Sequence, residues 1–302
     1  MRSIIFLLLA CGIFTSCESD SGAMQVSPNG SRYQLYTGEG SGDLPQTGDY
    51  AYFNVTLSTE GDSVMFDTRT GSGPQPFAQI TELDESGTQS QSPVEDVLHY
   101  MRMGDSATIR VNIEDFPNKP PGMEADTVLI YDVKLTDIIS EEEFAARKAA
   151  EEKIAVAKRE EIIKLEPERL AFAAKVVEDY KAGKLSGEVK ETASGLKYII
   201  HEEGTGPQAE AGLGVTVQYI GMLTSNSNVF DQSFERGEGI PFQLGTGRVI
   251  PGWDEGIALL KEGSKATFII PSELGYGAQG TPGGDIPANA ELAFYVELED
   301  VQ

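Results

Sequence analysis

The chain of 302 residues has little cysteine, histidine and positive charge. Its two cysteines, Cys11 and Cys17, lie close to the N-terminus, so the rest of the chain forms no internal disulfide bond and its core must be stabilised by packing. Its two histidines, His99 and His201, belong to no metal-ligand cluster, and no metal or other cofactor is expected. Lysine and arginine number 23 against 48 acidic residues, and the net charge of −25 argues against nucleic acid as a partner.

Long apolar runs are also lacking after the N-terminal segment MRSIIFLLLACGIFTSC. In this segment one arginine precedes an apolar run from Ile4 to Phe14, which is too short to span a bilayer and has the length of a signal-peptide hydrophobic region. Two small residues then lead to Cys17. The pattern resembles a bacterial lipoprotein signal, in which the cysteine becomes the acylated first residue. Cys11 is a rival with a better leader but a shorter apolar run, and we prefer Cys17.

This resemblance implies export and a lipid anchor. Residues 1–16 are interpreted as the signal peptide and residues 17–32 as a polar tether. The expected location is the bacterial cell envelope, where the lipid anchor at Cys17 holds the protein to a membrane that it faces from the periplasm or from the cell surface.

The body of the chain contains two β-rich regions, residues 33–139 and 186–302, that repeat each other. The matched blocks are YFNVTLSTEGDSVMFD (52–67) with VQYIGMLTSNSNVFD (217–231), VEDVLHYMRMGDSATIRV (94–111) with WDEGIALLKEGSKATFII (253–270), and VLIYDVKLTDI (128–138) with LAFYVELEDV (292–301). The blocks occur in the same order in both regions. The sequence therefore predicts a duplicated domain.

Residues 140–185, between the repeats, are rich in alanine and charged residues and predict a helical linker. Ser140 and Glu143 form a capping box at its start, Pro167 interrupts it, and a second helical run ends at Gly183. The favoured interpretation is a solvated spacer. The alternative is that its apolar residues pack on a partner subunit in a homo-oligomer: Phe144, Ile154, Ile162, Leu165, Leu170, Phe172, Val176 and Val177.

The second repeat contains strands that surround one short helix. VTVQYIGML, KATFIIP and ELAFYVELEDV are predicted strands, and PGWDEGIALLKEG is predicted to be a helix that ends at Gly263. Trp253, Ile257 and Leu260 recur at helical spacing and share one face. A short helix on a twisted antiparallel sheet is an α+β half-barrel, in which Trp253 forms the floor of a pocket.

Four motifs make a family resemblance specific: VQYIGML, VFDQSFERG, PFQLGTGRVIPGWDEGI and LGYGAQGTPGGDIPANAELAFYVEL. From Gly195 to Gln302 the chain resembles the FKBP-type peptidyl-prolyl isomerases. The resemblance implies an α+β fold with two FKBP-like half-barrels, each a curved antiparallel sheet around a short helix, joined by the helical linker.

The resemblance also implies roles for individual residues. Asp231 borders the site with Arg236 as its basic neighbour, Ile250 offers its backbone N–H to the substrate carbonyl, and the Tyr276 hydroxyl bonds ligand. The substrate-binding surface is implied to comprise Tyr219, Phe230, Phe242, Val249, Trp253, Ile286 and Phe294. Thr281 stands where many family members have histidine, which leaves the substrate preference of that loop open.

The first repeat lacks much of this set. Val55, Val94 and Tyr131 stand where the second has its tyrosine, tryptophan and phenylalanine, and the long tyrosine loop shrinks to FPNKPPGMEAD. The aromatic and acidic positions that survive are Phe66, Asp67 and Phe77. We interpret the first repeat as an inactive packing or substrate-holding module.

The implied function is cis–trans isomerisation of X-Pro bonds in polypeptide clients, which assists the folding of exported proteins. X-Pro isomerisation is slow enough to limit folding and requires no nucleophile. The alternative, from another functional class, is a non-catalytic chaperone or binding protein that holds proline-containing segments.

Overall fold

A computed structural model of the chain describes residues 22–37, 42–61, 63–70, 73–82, 92–114, 119 and 126–302. Both cysteines, and with them the predicted lipidation of Cys17, lie outside these residues, as does most of the FPNKPPGMEAD loop. The chain divides into two compact units, Met1–Lys148 and Ala149–Gln302. Within the described residues, no helix is both long enough and apolar enough to cross a membrane.

The first unit contains an antiparallel sheet and a short helix. Its strands are β1 (Gln25–Val26), β2 (Arg32–Tyr36), β3 (Tyr50–Thr59), β4 (Val64–Asp67), β5 (Phe77–Gln79), β6 (Ser106–Asn112) and β7 (Val128–Ile139), and its helix is α1 (Pro93–Leu98). The strand order is β1-β2-β6-β7-β3-β4, and β5 pairs with β3.

The second unit repeats this arrangement. The long helix α2 (Glu141–Lys181) begins before it. The further elements are β8 (Lys190–Glu191), β9 (Lys197–Glu202), β10 (Gly214–Leu223), β11 (Val229–Gln232), β12 (Ile240–Gln243), α3 (Pro251–Ile257), β13 (Lys265–Ile270) and β14 (Leu292–Val301). The strand order is β11-β10-β14-β13-β9-β8, and β12 pairs with β10.

The two sheets have corresponding strands in corresponding positions, and even their irregularities match. The register of β3 against β7 shifts between Tyr52 and Phe53, and that of β10 against β14 shifts between Thr216 and Val217. Bulges of this kind bend a strand and increase its twist. The predicted repeat and the α+β fold with one short helix over each sheet are confirmed.

The core of the second unit lies between its sheet and α3. Alternate residues of β10 point to this side, as the strand period requires, and Val215 and Val217 are buried there. Trp253, Ile257 and Leu260 of the helical segment are buried in the same cluster. The prediction that these three side chains share an inward face is confirmed.

Helix α3 is shorter than predicted. It ends at Ile257 instead of continuing to Gly263, which adopts φ +88° in the turn before β13. The N–H of Leu260 bonds the carbonyl of Ile257, three residues back, and the carbonyl of Leu260 accepts from the Ala209 backbone. The backbone after Ile257 therefore forms a tighter turn with a bond three residues back and then pairs with the segment at Ala209, so the helix ends well before Gly263.

Helix α2 is continuous, which corrects the predicted interruption at Pro167. A proline removes one N–H donor from the helix but does not by itself end it when the flanking residues favour helix. The N–H of Glu143 bonds the Ser140 side chain at 3.2 Å, as expected of an N-cap, while the Glu143 carboxylate binds Arg147. Gly183 adopts φ +70° just after the helix and confirms the predicted C-terminal glycine.

The second half of α2 packs on the second sheet, which corrects the solvated-spacer interpretation for that half of the helix. Ile162, Ala173 and Val177 are buried against the face of the second sheet that points away from α3. That face is apolar where the helix covers it: Ile220, Met222, Ile269, Ala293 and Tyr295. The first half of the helix is solvated: residues 145–161 are all exposed, including Ile154 at 70% and Val156 at 49%.

The first turns of α2 pack on the first unit. The ring of Phe144 stacks on Tyr50 with centroids 3.6 Å apart and contacts Phe77 at 5.0 Å. Phe144 is therefore also satisfied within its own chain.

Candidate functional site

A cavity of about 600 Å³ opens in the second unit between α3, the β10–β14 sheet and the loop that follows β13. Nine of the ten residues predicted for the pocket line it: Tyr219, Phe230, Asp231, Val249, Ile250, Trp253, Tyr276, Ile286 and Phe294. The tenth, Phe242, is buried behind the floor and packs on Trp253 with ring centroids 5.9 Å apart. Phe242 supports the pocket and does not face it.

The floor of the cavity is the Trp253 indole, which is only 4% exposed. The Tyr219 ring meets it edge-on at 5.1 Å and the Phe294 ring at 5.3 Å, a geometry that aromatic rings favour. Pro251 occupies the first turn of α3, where its missing N–H costs nothing, and so fixes the helix start that points Trp253 inward.

One wall depends on Gly221. A Cβ atom at this position would lie 2.7 Å from the Phe230 ring and 2.8 Å from the Phe294 ring. Because glycine lacks that atom, the two rings meet edge to face with centroids 5.5 Å apart. The result is a close-packed aromatic wall beside the floor.

The rim of the cavity carries a polar triad. The Tyr219 hydroxyl donates to the Asp231 carboxylate, and Arg236 donates to Asp231 Oδ1 at 3.1 Å and to the Tyr219 hydroxyl oxygen at 3.0 Å. Burial, followed by the hydrogen bond to Asp231, raises the pKa of Tyr219 to about 12. Tyr219 therefore stays protonated at neutral pH and fixes the orientation of the carboxylate.

The loop after β13 closes the other side. The Thr281 N–H bonds the Ile286 carbonyl at 3.0 Å, and the Ile286 N–H bonds the Thr281 hydroxyl at 3.1 Å. Gly280 adopts φ +66° where a Cβ would lie 2.2 Å from the Ile286 carbonyl oxygen. Thr281 thus shapes the loop from within. Burial, and then the negative charge of Asp231, raise the pKa of Tyr276.

Sequence reasoning missed Asp254, which holds the segment leading to Val249 and Ile250. Its carboxylate accepts hydrogen bonds from the Gly245 N–H at 2.8 Å and the Gly247 N–H at 3.1 Å. The signal was available, since an acidic residue in the first turn of a helix follows a glycine-rich loop. The cavity also has liners to which the sequence assigned no role: Ile240, Arg248, Gly283 and Asp285.

Among its described residues, the first unit retains the frame without this constellation. Val94 occupies the helix position of the tryptophan and is buried. Asp67 is paired instead with Arg69, whose Nη2 lies 2.7 Å from Oδ2. The side-chain hydrogen bond from Arg69 is the main cause that lowers the pKa of Asp67 to about 2. Phe66 is 56% exposed and flanks no aromatic floor.

The chain is similar to proteins of a known family. Residues 206–299 match the family described as FKBP-type peptidyl-prolyl cis-trans isomerase. The chain is 48% identical over 104 residues to FK506-binding protein 1 of Dictyostelium discoideum, and this alignment covers 34% of this chain and 95% of that protein. It is also 48% identical over 122 residues to the FKBP-type peptidyl-prolyl cis-trans isomerase FkpA of Aeromonas hydrophila, over 40% of this chain and 44% of that one. The crystal structure of FkpA from Escherichia coli aligns at 36% identity over 54% of this chain and 71% of that chain, with a TM-score of 0.37.

Fold and site together define an α+β half-barrel with an aromatic-floored pocket and a carboxylate at its rim. The chain belongs to the FKBP-type peptidyl-prolyl cis-trans isomerase family. The match spans less than half the length of the Aeromonas relative and 46% of a probable isomerase from Haemophilus influenzae.

Proposed function

We propose that this protein catalyses the cis–trans isomerisation of X-Pro peptide bonds in polypeptide clients, and that the second unit performs the reaction. The observation that carries the proposal is the buried floor of Trp253, edged by Tyr219 and Phe294, in a cavity whose rim holds a fixed carboxylate. Such a pocket fits a proline ring and leaves the adjoining amide at the rim.

The chemistry needs shape and polarity more than reactive groups. Rotation about a peptide bond costs about 18–20 kcal/mol because resonance is broken. An apolar pocket disfavours the charge-separated planar form and accepts the twisted amide better, which lowers the barrier. Among the described residues the Ile250 N–H has no hydrogen-bond partner. In this proposal it donates to one carbonyl oxygen of the substrate, and the Tyr276 hydroxyl donates to a second carbonyl oxygen.

A protease-coupled assay with an X-Pro peptide tests this proposal. We expect turnover above the uncatalysed rate and loss of that turnover when FK506 is added, since several relatives are named FK506-binding proteins. Turnover no faster than background would support the alternative of a non-catalytic binding protein.

For the first unit we propose a non-catalytic, substrate-holding role. Its β4 strand presents apolar side chains to solvent, with Val64 61% and Phe66 56% exposed. An exposed apolar strand suits an extended client segment. The test measures aggregation of an unfolded client protein. The full chain should suppress this aggregation, and the Phe66→Ser variant should suppress it less.

For location we propose export and lipid anchoring at Cys17 in the bacterial cell envelope, on the strength of the apolar run and the cysteine that follows it. Lipid labelling of the full chain in cells should be lost in Cys17→Ser and kept in Cys11→Ser. The reverse result would move the anchor to Cys11.

We also propose that the exposed Ile154 contacts a second copy of the chain in a homo-oligomer formed through the linker. Sedimentation of the full chain tests this proposal.

A further inference from the structure

The rim of the pocket is carried by one short segment at the edge of the sheet. Residues 229–237, here called the rim segment, contain β11, Asp231 and the 3₁₀ turn that ends in Arg236. β11 is the last strand of its sheet and pairs only with β10 among the named strands. An edge strand lacks hydrogen bonds on its outer side, so something else must fix the height of Asp231 above the pocket floor.

Helix α2 supplies that support through a hydrogen bond. Gln232 alternates with Asp231 along β11 and is 8% exposed, on the side away from the pocket. Its Nε2 donates to Glu166 Oε1 of α2 at 2.8 Å, and a longer contact of 3.4 Å reaches Glu235 within the rim segment. Losing the acceptor on α2 would leave a buried amide poorly paired, which is unfavourable.

Two packing contacts hold the same segment against the helix. Phe234 is 1% exposed and belongs to the cluster that includes Ile162 of α2. Gly237, which follows the turn, approaches so closely that a Cβ would lie 2.4 Å from Arg159 Cγ and 2.7 Å from the Arg159 carbonyl oxygen. The rim segment therefore meets α2 at three successive points, while its other side carries Asp231 and Arg236.

We propose that Glu166 is a positioning residue of the isomerase site, which acts through Gln232 to hold Asp231 and Arg236 in register with Tyr219. The inference rests on the proposed isomerase function. Glu166 touches no substrate; it lies on the opposite face of the sheet from the pocket. In this proposal, α2 helps to position the residues of the second unit's active site.

The test compares full-chain variants in the X-Pro assay. Glu166→Ala removes the acceptor and should lower kcat/KM about three- to tenfold, mainly through kcat, because the rim triad matters most for the twisted amide. Glu166→Gln keeps an acceptor oxygen and should restore at least half of the wild-type value. Glu161→Ala is the matched control, since it removes the same charge from an exposed position of the same helix.

A double variant shows whether Glu166 acts through Gln232. Gln232→Leu alone should reproduce the loss, and Glu166→Ala combined with Gln232→Leu should lose no more than the larger single effect. Trp253, the only tryptophan, provides a fluorescence check that the fold is retained. If Glu166→Ala melts below the assay temperature, Glu166→Met keeps the stem without the acceptor and is judged by the same criterion.

The outcomes are distinct. A wild-type protein without turnover contradicts the proposed function itself. An active wild type whose Glu166 and Gln232 variants keep kcat/KM within twofold, whatever their melting temperatures, overturns the positioning role. Additive losses in the double variant would also overturn it.

Discussion

Single residues of the site divide into those that fill it and those that aim it. Trp253 and Phe294 are inside because aromatic surface is stabilised by burial, and their place at the cavity could be predicted from spacing and from the motifs that carry the family resemblance. For Asp254 the only sequence signal is its place in the first turn of a helix after a glycine-rich loop, and Glu166 has no such signal. Their importance comes from which glycine N–H or amide lies opposite, and that is decided by the tertiary fold.

The Tyr276 hydroxyl gives the first prediction. Tyr276 is 40% exposed and lines the cavity mouth, so its removal leaves the core unchanged. We expect Tyr276→Phe to lower kcat/KM about fivefold, the value of a net hydrogen bond of about 1 kcal/mol. Tyr198→Phe, at a tyrosine that lies outside the cavity lining, is the control and should leave turnover unchanged. Equal effects in both variants would contradict a ligand-binding role.

His201 predicts a pH dependence of stability. Its Nε2 lies 2.8 Å from the Thr267 hydroxyl, and the ring packs against Phe172 and Tyr295. Burial lowers the pKa of His201 below its ordinary 6.5. The unfolded chain therefore binds the proton more readily, and the stability contributed by neutral His201, present in full above pH 6.5, falls as the pH decreases through and below that value.

The measurement is thermal melting from about pH 7.5 to about pH 5.5. His201→Gln should reduce the decrease in Tm at the lower pH. Burial also lowers the pKa of His99 in the first unit, so a residual slope is expected. Among the described residues, three carboxylates have a lowered pKa: Glu202, Asp179 and Asp67. The stability they contribute is lost only as the pH falls below their ordinary pKa values, 4.5 for Glu202 and 3.8 for the two aspartates. An unchanged slope in His201→Gln would show that this ring does not titrate on unfolding.

At the scale of elements, α2 shows where sequence reasoning ended. Its composition predicted a helix and Gly183 its end, because both depend on local backbone preferences. The surface that covers Ile162 and Val177 could not be predicted. This surface consists of apolar residues of β10, β13 and β14, and from sequence alone such residues are equally consistent with packing against α3 on the other face of the sheet. Which face of a sheet a helix covers is a property of the folded chain.

Gly237 predicts how tightly α2 and the rim segment are packed. Gly237→Ala adds a Cβ against Arg159 and also strains a backbone at φ +71°. Gly183→Ala imposes nearly the same strain at φ +70°, where nothing lies within 4 Å. We expect the Gly237 variant to lower the free energy of unfolding by about 1–3 kcal/mol more than the Gly183 variant, the usual cost of overpacking. Equal denaturation midpoints would mean that the helix yields at this point.

At the scale of the whole molecule, the chain holds two copies of one topology, and the cavity with the tryptophan floor lies in the second. The register shifts before Phe53 and before Val217 occur at corresponding residues, so the two sheets match in strand order and in the position of this bulge. Divergence has changed the side chains that face the pocket, such as Val94 in place of a tryptophan, and has preserved the frame that holds them. The duplicated fold could be predicted from ordered motifs, since each motif encodes a strand or turn locally.

The second unit should be fully active only when it keeps its part of α2. We expect residues 149–302 to retain most of the isomerase activity of the full chain, and residues 22–148 to have none, because the first unit lacks the aromatic floor. Residues 187–302, close to the boundary predicted from sequence, would expose the apolar face that α2 covers: Ile220, Met222, Phe234, Ile269 and Tyr295.

Exposed apolar surface of this extent destabilises a domain and promotes association. The short fragment should therefore melt at a lower temperature than residues 149–302 and bind a hydrophobic dye, and its kcat/KM should fall because Gln232 and Phe234 lose their contacts with α2. The melting curve separates the two effects, since turnover measured well below the transition reports on the site alone. A fragment of residues 187–302 as stable and as active as the longer one would show that the helix is a spacer after all.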